Sequence, residues 1–282
     1  MDIRPVDIYL KEVALNSYIR MRNNGTWRSL DGEVTGSKNH SVIVKKLVDA
    51  IPELSRECDN LKSKDRIKTS FSTKIEKRSD FRNRLVEFKP GEENEINIFT
   101  DGSRTEDGAG AGYILIGKNI MHGNSHSVSI ENSVFQTEVL AIKDATEYLL
   151  QQNVEGMNII IHLDNQAAIR SLSKYNIDSK LVSNTKREIN KLTAKNKVHI
   201  TWVPGHSNIR GNEIADRKAR LGSMNLNNIE PTKLPVSKAF YKHAIRRWGR
   251  SLHLDLLISK RASWRRVVGI EIDSCLPALH LL

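Results

Sequence analysis

Cysteine is almost absent from this 282-residue sequence, which contains only Cys58 and Cys275, far apart along the chain. Two isolated cysteines cannot build a disulfide framework, and they lack the close spacing of zinc ligands. Long hydrophobic runs are missing as well, so we expect no transmembrane helix. The N-terminal residues MDIRPVDIYLKEV carry charges where a signal peptide has its apolar core, which argues against secretion. These absences favour a chain with an ordinary hydrophobic core in a reducing compartment.

Positive charge exceeds negative charge, with 44 Lys and Arg against 33 Asp and Glu and a formal net charge of +11. A basic balance favours polyanionic partners such as nucleic acid, although alone it is weak evidence. Residues 95–223 carry only +1, whereas residues 1–94 carry +4 and residues 224–282 carry +6. Within the central stretch, residues 95–164 carry −7 and residues 165–223 carry +8. This pattern fits a carboxylate-rich metal site beside a phosphate-binding surface.

Three stretches differ in their charge and in their pattern of hydrophobic residues, and we expect them to form three segments of the protein. Residues 1–94 combine two short helical patterns with a charged region at residues 62–84 that we expect to be exposed, and they predict a connecting role. Residues 95–223 predict the element order β-β-β-α-β-α-α-β-α. This order implies an α/β fold, with a mixed five-stranded sheet (three antiparallel strands, then parallel strands) flanked by helices. Residues 224–282 begin with a spacer and continue as a basic helical tail.

Two aspartates stand where predicted strands end. Asp101 closes the pattern IFTD, and Asp164 closes the pattern IIIHLD. If these two strands lie side by side and parallel, both carboxylates meet at one edge of the sheet, where α/β proteins bind their ligands. Two such acids repel each other unless a cation lies between them or one of them binds a proton. Taken alone, each acid could equally cap its strand or the following helix.

A third acid, Glu138, lies within the apolar stripe of a predicted helix that begins near Ser133. Burying an unpaired carboxylate is unfavourable, so Glu138 needs a partner, either a divalent metal ion or a basic side chain. On the last predicted helix, Glu213 and Asp216 share one side, and their spacing does not choose between them. His206 lies on the preceding loop, where it could titrate near neutral pH or simply be solvated.

These candidate ligands are carboxylates, without cysteine and with little histidine. Hard oxygen ligands of this kind select Mg²⁺ or Mn²⁺ rather than zinc. Pairs of such ions assist the cleavage of phosphodiesters. The chemistry of the acids and the basic balance of the chain therefore both indicate a metal-dependent reaction on nucleic acid.

Four motifs contain these acids, and together they resemble the successive signatures of type 1 ribonuclease H. They are FTDGS at residues 99–103, FQTEVLAI at residues 135–142, HLDNQAAI at residues 162–169 and TWVPGHSNIRGNEIADRKA at residues 201–219. All four stand in the family's order and at its usual intervals, so the set is specific, and it covers somewhat under half of the chain. The resemblance implies a ribonuclease H-like fold and cleavage of the RNA strand of RNA–DNA hybrids.

The resemblance also implies roles for individual residues. The metal-binding carboxylates, which would hold two Mg²⁺ ions or Mn²⁺ as a substitute, are Asp101, Glu138, Asp164 and Asp216. His206 matches a mobile histidine that assists proton transfer or product release. Four further residues match positions that touch the hybrid or order the site: Gly102, Ser103, Gln136 and Asn212. No small-molecule cofactor is implied. Asn165 stands where many relatives have serine, outside the set of ligands.

The amino-acid sequences of the motifs are most similar to those of the ribonuclease H domain of insect-type non-LTR retrotransposons. Residues 3–15, IRPVDIYLKEVAL, resemble the connection that follows the polymerase in such elements. No polymerase motif is present, so we expect a fragment or degenerate copy of a retroelement polyprotein. Two alternatives stay open: a catalytically silent remnant that only binds nucleic acid, and a DNA-cutting relative of the same fold. The complete set of four acids argues against the first, and this set together with the late block at residues 206–216 disfavours the second.

Overall fold

A computed structural model describes residues 5–27, 40–75, 94–205, 207–225 and 230–268. The chain divides into two compact units. The larger contains residues 21–27 and 55–240, and the smaller contains α-helical segments from both ends of the chain. Within the described ranges, no helix is both long enough and apolar enough to cross a membrane.

The helices and strands follow one another along the chain with these bounds. The helices are α1 (Val6–Asn23), α2 (His40–Asp49), α3 (Val134–Gln151), α4 (Gln166–Ser173), α5 (Lys180–Leu192), α6 (Arg210–Met224) and α7 (Lys238–Val268). The strands are β1 (Asp65–Arg66), β2 (Ser72–Lys74), β3 (Glu95–Arg104), β4 (Ala109–Gly117), β5 (Met121–Val128), β6 (Asn158–Leu163), β7 (Asn176–Ile177) and β8 (Lys197–Trp202).

The larger unit is built around a mixed sheet with the strand order β2-β8-β6-β3-β4-β5. Strands β3, β4 and β5 pair antiparallel, whereas β3, β6, β8 and β2 run parallel. Parallel neighbours need crossover connections, and helices supply them between β3, β6 and β8. The expected mixed sheet, with antiparallel strands first and parallel strands later, is therefore confirmed.

Side chains that alternate along the strands belong to two hydrophobic clusters, one on each face of the sheet. In β3, Ile98 belongs to the cluster that α3, α4 and α5 cover, while its neighbour Phe99 packs with Ala215 of α6. This division follows from the two-residue period of a strand, which sends successive side chains to opposite faces. In the central strand β6, Ile159 and Ile161 are fully buried. The sheet is thus covered by helices on both faces.

Glycines in β4 let helix α6 approach the sheet closely. A Cβ atom on Gly112 would lie 2.7 Å from the carbonyl oxygen of Ala215. A contact that short has no room for a side chain, so the helix backbone packs directly on the strand. The close packing fixes the position of α6 and of Asp216, which follows Ala215 in the sequence.

The sheet has six strands instead of the five expected, because Ser72–Lys74 pairs in parallel with β8. This strand lies in the region that we expected to be charged and exposed. Ile67 and Phe71 of the same region are buried in the core cluster, and β1 pairs with β7. All three residues of β2 are exposed, so the strand is held by backbone pairing rather than by an apolar pattern. Residues 76–84 of the region lie outside the described residues.

The smaller unit consists of helical segments, as expected for the flank and the tail. Its buried side chains include Ile8, Leu15, Val44, Leu54 and Tyr241. In α7, Gly249 lies directly against the carboxylate of Glu12, where a Cβ atom would collide with it. Arg247 donates a 2.6 Å hydrogen bond to Glu53. Helix α1, one of the two helical patterns expected in residues 1–94, begins at Val6.

Candidate metal centre

The first two acids meet because their strands are neighbours. Asp101 lies within β3, and Asp164 directly follows β6, which pairs in parallel with β3. The condition set by the sequence, adjacent parallel strands, is therefore met. The indole Nε1 of Trp202 donates a 2.9 Å hydrogen bond to the backbone carbonyl of Asp164 and holds the turn after β6 in place. Asn165 caps the next helix, α4, by accepting from two backbone amides.

Glu138 reaches the same point from helix α3. The helix begins with a capping box between Ser133 and Gln136, which satisfies backbone donors of its first turn. Glu138 is only 1% exposed, as its place in the apolar stripe predicted. Gly102 allows the contact between β3 and the helix, since a Cβ there would lie 2.8 Å from the backbone nitrogen of Glu138. Thr100 Oγ1 lies 3.5 Å from Glu138 Oε2.

The carboxylates of Asp101, Glu138 and Asp164 form one cluster, in which one oxygen of each lies within 4.8 Å of the others. Burial, followed by the charges of Asp164 and Asp216, raises the pKa of Asp101 to about 7. Burial, followed by the charges of Asp101 and Asp164, raises the pKa of Glu138 well above its ordinary value. The cluster is therefore strained by its own negative charge, and a bound cation would relieve that strain.

Asp216 lies beside this cluster on helix α6 and is the fourth acid that the motifs indicated. Its carboxylate interacts with Asp101, where it contributes to the raised pKa of that residue. Its Oδ1 also accepts a 3.0 Å hydrogen bond from Nε of Arg220, one helical turn further along. Glu213, the other candidate on this helix, is exposed and lines the same cleft. The structure therefore leaves Asp216, and not Glu213, in electrostatic contact with Asp101.

The other residues indicated by the sequence fall into three groups. Gly102, Ser103 and Asn212 line the cleft, and Asn212 is 6% exposed with an Oδ1 that has no hydrogen-bond partner among the described residues. Gln136 is 1% exposed, and its side chain bonds to the start of α3 and to a backbone carbonyl of the tail. His206 lies outside the described residues.

The acids open onto a cleft of about 1360 Å³. Three arginines that the sequence analysis did not single out also line it: Arg104, Arg217 and Arg220. All three are exposed. Arg220 follows Asp216 by four residues, so its helical spacing was the signal that could have identified it. The cleft thus combines buried negative charge with positive charge at its surface.

Part of this chain is similar to known proteins. RNase H1 from the halophilic archaeon Halobacterium salinarum shares 18% sequence identity at a TM-score of 0.38, covering 48% of this chain and 99% of that chain. A family model described as RNase H matches residues 93–224. Ribonuclease HI of Haemophilus ducreyi is 30% identical over 147 residues, which cover 46% of this chain and 91% of that protein. The chain therefore belongs to the ribonuclease H family and is a ribonuclease.

Proposed function

We propose that this ribonuclease cleaves the RNA strand of RNA–DNA hybrids with two divalent metal ions, Mg²⁺ or Mn²⁺ as a substitute. The residues that would hold them are Asp101, Glu138, Asp164 and Asp216. The observation that carries the proposal is the convergence of three carboxylates, with oxygens within 4.8 Å of one another, in an open cleft. The products would carry 5′-phosphate and 3′-hydroxyl ends.

Divalent cations fit these residues for two reasons. The donors are carboxylate oxygens, the hard ligands that Mg²⁺ and Mn²⁺ prefer. The raised pKa values of Asp101 and Glu138 indicate that the cluster lacks compensating positive charge. When bound, the ions would supply an activated water and a counter-charge for the departing oxygen.

The protein's own groups keep the carboxylates in fixed positions. Trp202 holds the backbone of Asp164 through its indole nitrogen, and Thr100 lies beside the buried Glu138. Fixed charges of this kind favour catalysis because they need little rearrangement when the reaction begins. Asp164 and Glu138 would therefore present their oxygens to the ions in a prearranged geometry.

The surface of the cleft suits an RNA-containing duplex. Arg104 and Arg217 present exposed guanidinium groups, which bind phosphates well. Inside the cleft, the buried Oδ1 of Asn212 is an acceptor without a partner among the described residues. A ribose 2′-hydroxyl is a donor that would satisfy this acceptor, and it is the group that distinguishes RNA from DNA. We therefore propose recognition by sugar and backbone rather than by base sequence.

The test is a cleavage assay with labelled RNA–DNA hybrid, double-stranded RNA and duplex DNA, each with Mg²⁺ and then with EDTA. We expect cleavage of the RNA strand of the hybrid alone, and only with Mg²⁺. Asp164→Asn should abolish cleavage and keep hybrid binding, whereas the exposed control Asp107→Asn should cleave normally. Binding without cleavage by the wild type would identify a silent remnant, and cleavage of duplex DNA would identify a DNA-cutting relative. Either result would overturn the proposal.

We further propose that the chain derives from a non-LTR retrotransposon. The sequences of its motifs and of residues 3–15 support this origin. In that origin, residues 1–94 are a connection after a polymerase, residues 95–223 the hydrolase domain and residues 224–282 a basic tail. Sequencing the genomic locus tests this origin. A reverse transcriptase reading frame joined upstream would support it, and a conserved solitary cellular gene would contradict it.

A further inference from the structure

Residues 230–237 follow the family match and form a non-helical segment, the strap, that runs past the start of helix α3. Near one end, the Thr232 amide donates a 2.8 Å hydrogen bond to the carbonyl of Ser127 in β5. Near the other end, the amide of the buried Val236 donates a 2.7 Å hydrogen bond to the carbonyl of Glu57. The strap is therefore attached to the larger unit at two separate points.

The second attachment point is itself fixed. The Asp59 amide donates a 2.8 Å hydrogen bond back to the Val236 carbonyl. The carboxylate of Asp59 accepts a 2.6 Å bond from Ser179 Oγ and a 3.0 Å bond from the Leu181 amide at the start of α5. Side-chain caps of this kind satisfy the unpaired amides of a helix N-terminus. Through Asp59, the strap is joined to helix α5.

Between these two points, the strap is bonded to the start of helix α3. Nε2 of Gln136 donates a 2.7 Å hydrogen bond to the Pro235 carbonyl. Nδ2 of the buried Asn132 lies 3.3 Å from the Leu234 carbonyl and 3.4 Å from that of Pro235. The Oε1 of the same Gln136 side chain accepts from the Ser133 amide in the capping box. One buried amide group thus joins the first turn of α3 to the strap.

Glu138 follows Gln136 by two residues, which places the two side chains about 200° apart around the helix. Gln136 therefore holds α3 on the side away from Glu138, while Gly102 of β3 contacts the helix near Glu138. The first turn lies between the strap and the sheet. The strap and the sheet therefore contact the helix that carries Glu138 from different sides.

We propose that the strap, acting through Gln136, positions Glu138 in the metal centre. Gln136 is then a positioning residue that is occupied within the protein, rather than a residue that touches the hybrid. The consequences for catalysis and for ion binding rest on the proposed function, whereas the exchange of the strap amides does not. The hydrolase of this chain would accordingly need residues beyond the family match to hold its ions well.

Two variants with the full chain separate this role from ordinary helix capping. Gln136→Met keeps the length of the side chain and removes both its capping bond and its bond to Pro235. Ser133→Ala, the matched control, removes the other half of the capping box and keeps the bond to Pro235. Three quantities are measured: amide hydrogen exchange at Thr232 and Val236, the affinity for Mn²⁺ by calorimetry, and kcat and KM for hybrid cleavage.

For Gln136→Met we expect exchange of the two strap amides to accelerate about fivefold, the effect of losing one net hydrogen bond. Affinity for Mn²⁺ should fall about fivefold through the same loosening. The kcat should fall about tenfold or more, because small misplacements of reacting groups lower the rate strongly. The KM should stay within about twofold. Ser133→Ala should leave the exchange of the strap amides and the Mn²⁺ affinity at wild-type values.

Unchanged exchange of the strap amides in Gln136→Met would overturn the proposal, as would Mn²⁺ affinity equal in both variants. A higher KM with unchanged exchange of the strap amides would also overturn it. That result would indicate that Gln136 contacts the hybrid. If Gln136→Met does not fold, Asn132→Ala removes the two longer strap bonds, and exchange of the strap amides must still rise about twofold. A wild type without hydrolase activity would refute the proposed function alone, since exchange of the strap amides still tests the strap.

Discussion

Removing the charge of Asp101 should stabilise the protein when no metal is bound. Burial and the neighbouring carboxylates raise the pKa of Asp101 from 3.8 to about 7. Between these values, the folded protein keeps a proton that the unfolded chain has released. The free energy of unfolding of the metal-free protein therefore falls as pH rises from about 4 to about 7, and it is lowest above that range. An asparagine at this position has no such dependence.

The size of the effect follows from the same interval. About three pKa units, at about 1.4 kcal/mol for each, amount to about 4 kcal/mol at pH 8. This figure is an upper bound, because the pKa of Glu138 also depends on the charge of Asp101 and changes when that charge is removed. We therefore expect Asp101→Asn to raise the free energy of unfolding by about 2 to 4 kcal/mol at pH 8 and by almost nothing at pH 4.

The free energy of unfolding of the sheet can be measured by hydrogen exchange of the buried amides in β6. The exchange is followed in EDTA at several pH values and corrected for the intrinsic exchange rates. The exposed Asp107, on the turn after β3, provides the matched control Asp107→Asn, which should leave exchange unchanged. Saturating Mg²⁺ should reverse the order, because it stabilises the wild type by mass action and the variant lacks a ligand. Lower stability of Asp101→Asn than of the wild type in EDTA at pH 8 would refute the electrostatic account.

Three further predictions concern neighbouring residues. Glu138→Gln should lower the cleavage rate about 100- to 1,000-fold in a hybrid assay, because one prearranged charge is lost. Gly102→Ala should lower stability by about 1 to 3 kcal/mol in denaturant titrations, since its Cβ would lie 2.8 Å from two backbone atoms of α3. Arg220→Gln should raise Mn²⁺ affinity about twofold in calorimetry, because a half-exposed ion pair to Asp216 is worth only a few tenths of a kcal/mol. An unchanged value in any of these assays contradicts the role described for that residue.

Much of the fold could be predicted because the central elements carry strong local signals. The capping residue Ser133 and the apolar stripe after it predicted a helix that the structure shows as Val134–Gln151. The apolar run NIIIHL predicted the buried strand β6. The strand that the pattern IFTD predicted to end at Asp101 extends to Arg104 as β3, because its backbone pairing with β4 continues beyond the apolar residues.

Strand β2 could not be predicted, because its stabilisation does not come from its own side chains. Its three residues are exposed, and pairing with the edge of β8 satisfies its backbone groups. The edge of β8 exists only after the sheet has formed, so no local pattern in residues 72–74 records it. The buried Ile67 and Phe71 were hidden for a similar reason, since charged residues surround them in the sequence.

The acids of the site were predictable, whereas the groups that hold them were not. Glu138 was identified by its place in an apolar stripe, and it is buried as that place predicted. Trp202 donates a hydrogen bond to the backbone carbonyl of Asp164, 38 residues away. Because every residue has a backbone carbonyl, the sequence does not indicate which one is the partner. Gln136 matched a position that touches the hybrid or orders the site, and its bond to Pro235 depends on a segment far along the chain. Side-chain chemistry could be predicted from the sequence, and long-range backbone contacts could not.

Calorimetric titration of the metal-free protein with Mn²⁺ tests the central claim most directly. The account predicts uptake of Mn²⁺ by the wild type, release of protons on binding as Asp101 and Glu138 ionise, and loss of this uptake in Asp164→Asn. Absence of uptake by the wild type, or equal uptake by Asp164→Asn, would contradict a metal centre built from these carboxylates.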